Sequence, residues 1–144
     1  MNIPPVTKSI RVREPHENAF RRFTRGIGEW WPLATHSIDP ETTETCVFEE
    51  RVGGRIYERH RDGSEAEWGR VTVWEPPTRV AFTWHPGRPA STAQEIEVVF
   101  TPTENGTRVE LTHRGWERYG PGAQKSRDEY SPGWDFVLSH YTQP

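Results

Sequence analysis

Two alternating runs around one tight turn, in residues 95–116, constrain this chain more than any other feature. Ile96, Val98 and Phe100 recur every second residue, Glu104-Asn105-Gly106 interrupts, and Val109, Leu111 and His113 resume the alternation. Side chains alternate across a strand, so this patterning predicts a strand pair with one buried face and one wet face. Asn105-Gly106 is the dipeptide that supplies the positive φ angles of a two-residue hairpin turn. A long hairpin with a single apolar face cannot stand alone; it needs more strands and a second layer over that face.

The rest of the chain provides both. Residues 7–13 predict a first strand with Ile10 and Val12 on one side. Glu14-Pro15 ends it, because proline gives no ladder hydrogen bond but suits the first turn of a helix. Ala19, Phe20 and Phe23 then share one helical face, with Arg21, Arg22 and Arg25 opposite. Gly26 and Gly28 break that helix before Glu29-Trp30-Trp31-Pro32, a short aromatic helix or turn. Strands are predicted over 43–51, 55–60, 65–74 and 79–84, punctuated by Gly53-Gly54, Asp62-Gly63, Glu75-Pro76-Pro77 and His85-Pro86-Gly87. With the hairpin, the count is seven, antiparallel because the connections are short.

At the end of the chain the period changes. Trp134, Val137, Leu138 and Tyr141 fall at i, i+3, i+4 and i+7, an amphipathic stripe with Ser131 as expected N-cap and Pro132 as first helical residue. Asp128 and Glu129 are placed before that helix, facing solvent. The fold class expected is α+β: a curved antiparallel sheet of about seven strands around a C-terminal helix, with two short helices after the first strand. Curved layers do not pack flush along their whole length, so a cleft between sheet and helix is expected.

Composition narrows the function classes. The 144 residues suit one domain, 1–144, without linker, repeat or low-complexity segment. Only 32% are hydrophobic, yet there are seven Trp, six Phe and four Tyr, so a few large rings, each burying about 150–250 Å², must carry the core. A net charge of −3 and a pI near 6.1, with both signs interspersed, argue against nucleic-acid binding, which calls for a basic stripe. Cys46 is the one cysteine; it excludes an intrachain disulfide and reads as a small buried hydrophobe in a reducing compartment. No apolar run approaches the roughly 20 residues that span a bilayer, and Met1 to Lys8 shows no charged start followed by an apolar core. The expectation is a cytoplasmic protein, monomer or homodimer, without membrane insertion.

In its order of elements the chain resembles the helix-grip domain of the START-like superfamily, also called Bet v 1-like or SRPBCC. Within it, the chain looks like the branch related to the activator of Hsp90 ATPase. The matching pieces are Glu14-Pro15, Trp31-Pro32, Gly53-Gly54, Trp68-Gly69-Arg70-Val71 and Glu75-Pro76-Pro77-Thr78-Arg79-Val80, followed by Ala81-Phe82-Thr83-Trp84. The run from Gly106 to His113, then Gly115-Trp116 and Gly133-Trp134, complete the series. Together they cover residues 9–141. The resemblance implies the helix-grip fold and a cavity, in a family whose members include binders of apolar ligands, cyclases, hydrolases and a co-chaperone.

No motif here carries chemistry by itself. There is no His-Glu-x-x-His, no paired Cys, no phosphate-binding loop and no Gly-x-Ser-x-Gly elbow. Six scattered histidines, none at i, i+4 on a helix, give no metal site, and no cofactor is expected. His113 shares a face with Val109 and Leu111, and is either a satisfied core histidine or an imidazole presented to a ligand. Trp68, Arg70, Thr72 and Trp74 share one face of their strand; were it the inner face, Arg70 would need a carboxylate or a ligand anion. Tyr57 and Arg59 raise the same question next door. Glu65 and Glu67 are expected as a solvated pair. Trp30 and Trp31 are expected as one core and one exposed ring.

The first reading is a non-catalytic module that binds a small apolar or amphipathic molecule between sheet and helix. Trp31, Trp68, Trp84, Phe100 and Trp134 would supply burial; Tyr57, Arg70 and His113 would set orientation. A second reading makes the cavity an enzyme's, of cyclase or hydrolase type, with His113 as acid–base. A third is a co-chaperone or other protein-interaction module, which predicts a protein-binding patch at Trp30 and Trp31.

Overall fold

The computed structural model describes residues 3–142, so Met1 and Asn2 of the stretch read for a leader, and Gln143 and Pro144, lie outside it. The predicted strands form as β1 (Val6–Val12), β2 (Thr43–Phe48), β3 (Arg55–His60), β4 (Glu65–Glu75), β5 (Arg79–Trp84), β6 (Gln94–Thr103) and β7 (Gly106–Arg114). They make one antiparallel sheet in the order β1-β7-β6-β5-β4-β3-β2. The helices α1 (His16–Thr24) and α2 (Ile27–Trp30) follow β1, and α3 (Ala123–Thr142) closes the chain.

The β6–β7 hairpin is the longest ladder, running from Glu95 opposite Arg114 to Thr103 opposite Gly106. Its loop is Glu104-Asn105, and of Asn105 and Gly106 only Gly106 takes a positive φ, 151°. The expected pair of positive φ angles is therefore not formed. Proximity to β1 explains the glycine: a Cβ there would stand 2.1 Å from the Val12 carbonyl oxygen.

The core lies between this sheet and its helices. Ala19, Phe20 and Phe23 of α1 are buried, as their spacing predicts, and meet Phe100 with ring centroids 5.1 and 5.8 Å from Phe20 and Phe23. The α3 stripe of Trp134, Val137, Leu138 and Tyr141 is buried too. That helix begins at Ala123, however, and Pro132 lies inside it rather than at its start. A proline removes one backbone donor, and the buried stripe on its C-terminal side holds the helix together across the gap. Ser131 is not a cap; its hydroxyl accepts a hydrogen bond from Lys8 Nζ at 3.1 Å. Asp128 and Glu129 consequently belong to α3.

Strand β4 departs from simple alternation at two places. Ile56 pairs with Gly69 but Tyr57 with Glu67, and Val71 pairs with Phe82 but Val73 with Ala81, so Trp68 and Thr72 are each an extra residue. Each such bulge resets which face the following side chains occupy. Trp68 and Val71 are buried, whereas Arg70 is 57% exposed and paired with Glu67. Gly69 permits the kink, since a Cβ would lie 1.7 Å from the Thr83 carbonyl oxygen of β5.

Candidate ligand cleft

A cleft of about 730 Å³ opens between β4, β5, the connection after α2 and the first half of α3. Trp31 comes from the connection, Trp68 from β4, Trp84 from β5 and Trp134 from α3. Tyr119 and Tyr130 add two more rings. Ring centroids are 5.0 Å apart for Trp31 and Trp68, 5.6 Å for Trp68 and Trp84, and 5.8 Å for Trp84 and Trp134.

Every one of these indole N–H groups is already engaged. Trp31 donates to the His36 carbonyl at 2.7 Å and Trp68 to Glu58 Oε1 at 2.7 Å. Trp84 donates to the Tyr130 hydroxyl at 3.1 Å and Trp134 to His113 Nδ1 at 3.0 Å. The indoles are thus fixed in orientation, and at 1 to 8% exposure they offer the cleft a small, apolar surface.

Glu58 sets the position of one wall. Its carboxylate is fully buried and accepts from the backbone N–H of Ile38 at 2.6 Å and of Asp39 at 3.0 Å. Thr43 Oγ1 and the Trp68 indole donate to it as well, and His60 Nε2 lies 2.7 Å away. Burial pushes this carboxyl up, but hydrogen bonds from Ile38, His60, Trp68 and Thr43 outweigh it and hold it below its ordinary value. One buried anion therefore ties the connection carrying His36, Ser37 and Ile38 to the strand carrying Trp68. At the rim, His36 stacks on Phe136 of α3, centroids 5.0 Å apart.

Polar groups occur at the mouth. Arg88, Lys125, Glu129 and Tyr130 line the cleft. Burial raises the Tyr130 hydroxyl's pKa, against the lowering effect of the Trp84 donor. It accepts from Trp84 and keeps its own proton to donate. Such a group can protonate or hydrogen-bond a ligand carbonyl, and Glu129 can accept a proton.

Of the residues expected at the site, Trp31, Trp68, Trp84 and Trp134 line the cleft and four do not. Arg70 is turned outward by the bulge at Trp68. Tyr57 alternates with the inward Glu58; it lies on the other face beneath the Arg55 guanidinium, 4.2 Å from its ring centroid, and its hydroxyl accepts from Arg59. Phe100 is held under α1. His113 is fully buried behind Trp134, stacked on Trp116 at 4.2 Å. Because an indole only donates, His113 Nδ1 is the acceptor and its Nε2–H donates to Gln94 Oε1 at 3.1 Å. Burial pushes this imidazole down to about 3, so it is a satisfied neutral histidine and not an acid–base at neutral pH.

Trp30 and Trp31 are both buried, at 7% and 8% exposure, so the patch expected for a protein-interaction surface is absent. Trp30 donates to the Arg22 carbonyl and packs on Tyr141, 4.9 Å between centroids. Sequence reading missed His36, Arg88, Glu129 and Tyr130. Tyr130 does stand four residues before Trp134, the helical spacing that would have revealed it, but Pro132 suggested that the helix began later.

A half-closed antiparallel sheet gripping one long helix, with a cleft at their junction, defines an α+β helix-grip domain. The chain belongs to the family described as activator of Hsp90 ATPase homolog 1-like protein, whose model matches residues 13–140. Among solved structures it is similar to Txn09, an anthrahydroquino-γ-pyrone synthase complexed with SUM: 38% identity over 98% of this chain and 96% of that one, TM-score 0.66. It shares its fold with the Aha1 dimer from Colwellia psychrerythraea, at 20% identity over 97% and 94% of the two chains, TM-score 0.70. Protein BH1534 from Bacillus halodurans is alike too, at 19% identity over 99% and 98%, TM-score 0.70. No curated protein matches the chain. No helix among the described residues is long and apolar enough to cross a membrane.

Proposed function

We propose that this chain binds a planar, fused-ring aromatic molecule in the cleft between sheet and C-terminal helix. One observation carries the reading: four indoles wall the cleft, and protein acceptors occupy all four of their N–H groups. A wall of rings favours a flat ligand, and each ring that the ligand reaches adds about 0.5–1.5 kcal/mol beyond burial. The 38% identity with an anthrahydroquino-γ-pyrone synthase, whose named product is of this class, supports it.

The same similarity favours a second reading, ring closure. A γ-pyrone forms when an aryl hydroxyl adds to a side-chain ketone and the resulting hemiketal loses water. Tyr130 is the candidate acid at the ketone oxygen, and Glu129 the candidate base for the aryl proton.

Calorimetry with anthraquinone-2-carboxamide and, for contrast, palmitate tests the binding. The planar compound should bind one to one in the micromolar range and palmitate far more weakly; the reverse order would overturn the proposal. For ring closure, 1-(2-hydroxyphenyl)butane-1,3-dione should give 2-methylchromone faster than in buffer, and Tyr130→Phe should remove the acceleration. A rate equal to buffer would leave binding alone.

A further inference from the structure

We propose that the aromatic molecule is an acid, and that its anionic oxygen is held by Arg88 at the mouth of the cleft. This rests on the aromatic-binding reading and specifies the ligand's charge. Arg88 follows the turn His85-Pro86-Gly87 after β5 and lines the cleft. Its guanidinium lies over the Tyr119 ring, 3.7 Å from the centroid, and Nη2 donates to the Tyr119 carbonyl at 2.7 Å. These two contacts fix the guanidinium plane.

What remains is a charge and a donor without partners. Arg88 Nε is buried and has no hydrogen-bond acceptor, and it is the only side-chain nitrogen or oxygen so placed among the described residues. Nor, among the described residues, does any carboxylate lie within ion-pair distance of Arg88, whereas Arg22, Arg79 and Arg114 are each paired with glutamates. A buried N–H left unpaired on a cation is costly, and native proteins seldom keep one without a reason. A carboxylate or phenolate in the cleft gives the guanidinium charge the partner it lacks, and the guanidinium fork suits such oxygens. Lys125, on α3, lines the same cleft and makes no ion pair among the described residues, while Glu129 is the one carboxylate in the wall. The three side chains together leave the mouth with a net positive charge, which favours an anionic ligand.

The test compares anthraquinone-2-carboxylate with anthraquinone-2-carboxamide, equal in shape and different in charge. Wild-type protein should bind the carboxylate about tenfold more tightly or better, about 1.4 kcal/mol. In Arg88→Gln the ratio of the two affinities should fall to near one, and Arg88→Lys, a point charge without the fork, should keep an intermediate ratio. Equal affinities in the wild type would overturn the role of Arg88 while leaving the aromatic reading intact. A preference that survives Arg88→Gln would also overturn it, assigning the selectivity to Lys125. Binding of neither compound would overturn both readings. Should Arg88→Gln not fold, the wild-type and Arg88→Lys ratios decide: an undiminished preference in Arg88→Lys counts against the fork.

Discussion

Behind the cleft, His113 has both ring nitrogens engaged, one accepting from Trp134 and the other donating to Gln94. Its imidazole is held down to about 3 by burial, so acid reaches it only through the unfolded chain. Below about pH 6.5 the unfolded histidine takes a proton that the native one refuses, and stability falls with pH through that window. From about pH 7.5 to about pH 5.5 the loss from this residue is about 1.4 kcal/mol. His36, lowered by burial and by His140, acts in the same direction. Urea unfolding at the two pH values should therefore show a shallower loss in His113→Gln than in the wild type; parallel losses would refute this account. Alternation along β7 did reveal that His113 faces inward. Its chemistry depends on residues 19 and 21 positions away, which no local pattern reports.

Elements were legible where local rules act alone. The spacing of Ala19, Phe20 and Phe23 defined the buried face of α1, and the alternation of β6 and β7 defined their ladder. Failures came where tertiary packing overrode those rules. Pro132 reads as a helix start because it lacks a donor, yet α3 runs through it, and Tyr130 enters the cleft from the hidden half. Bulges at Trp68 and Thr72 depend on β3 and β5, so alternation within β4 put Arg70 and Trp68 on one face when they occupy two. The connection from α2 to β2 has a similar dependence on Glu58, which no motif announces. Glu58→Gln keeps the shape but replaces one acceptor oxygen with a donor among groups that all donate. It should cost about 3 kcal/mol or more in chemical unfolding, and amide exchange at Ile38 and Asp39 should accelerate. Unchanged exchange at those two amides would show that the connection is held by other contacts.

Across the whole molecule, the cleft is assembled from segments distant in sequence and fixed by hydrogen bonds among themselves. Trp84 of β5 bonds Tyr130 of α3, Trp134 bonds His113 of β7, and Trp31 bonds the backbone of its own connection. A ligand that fits must find this arrangement folded, so it stabilises the native state alone. At a hundred times its Kd, a bound aromatic should add about 2.7 kcal/mol. For a domain of this size that is a rise in Tm of about 5–10 °C in a thermal melt. No shift at that concentration would mean the unfolded chain binds as well as the native one. The four cleft indoles, with neighbouring centroids 5.0 to 5.9 Å apart, also have an optical consequence. Excitation absorbed by any one of them migrates among all four before it is emitted. A single quinone seated in the cleft would drain the whole group, and the protein would dim as one lamp, reporting occupancy without a label.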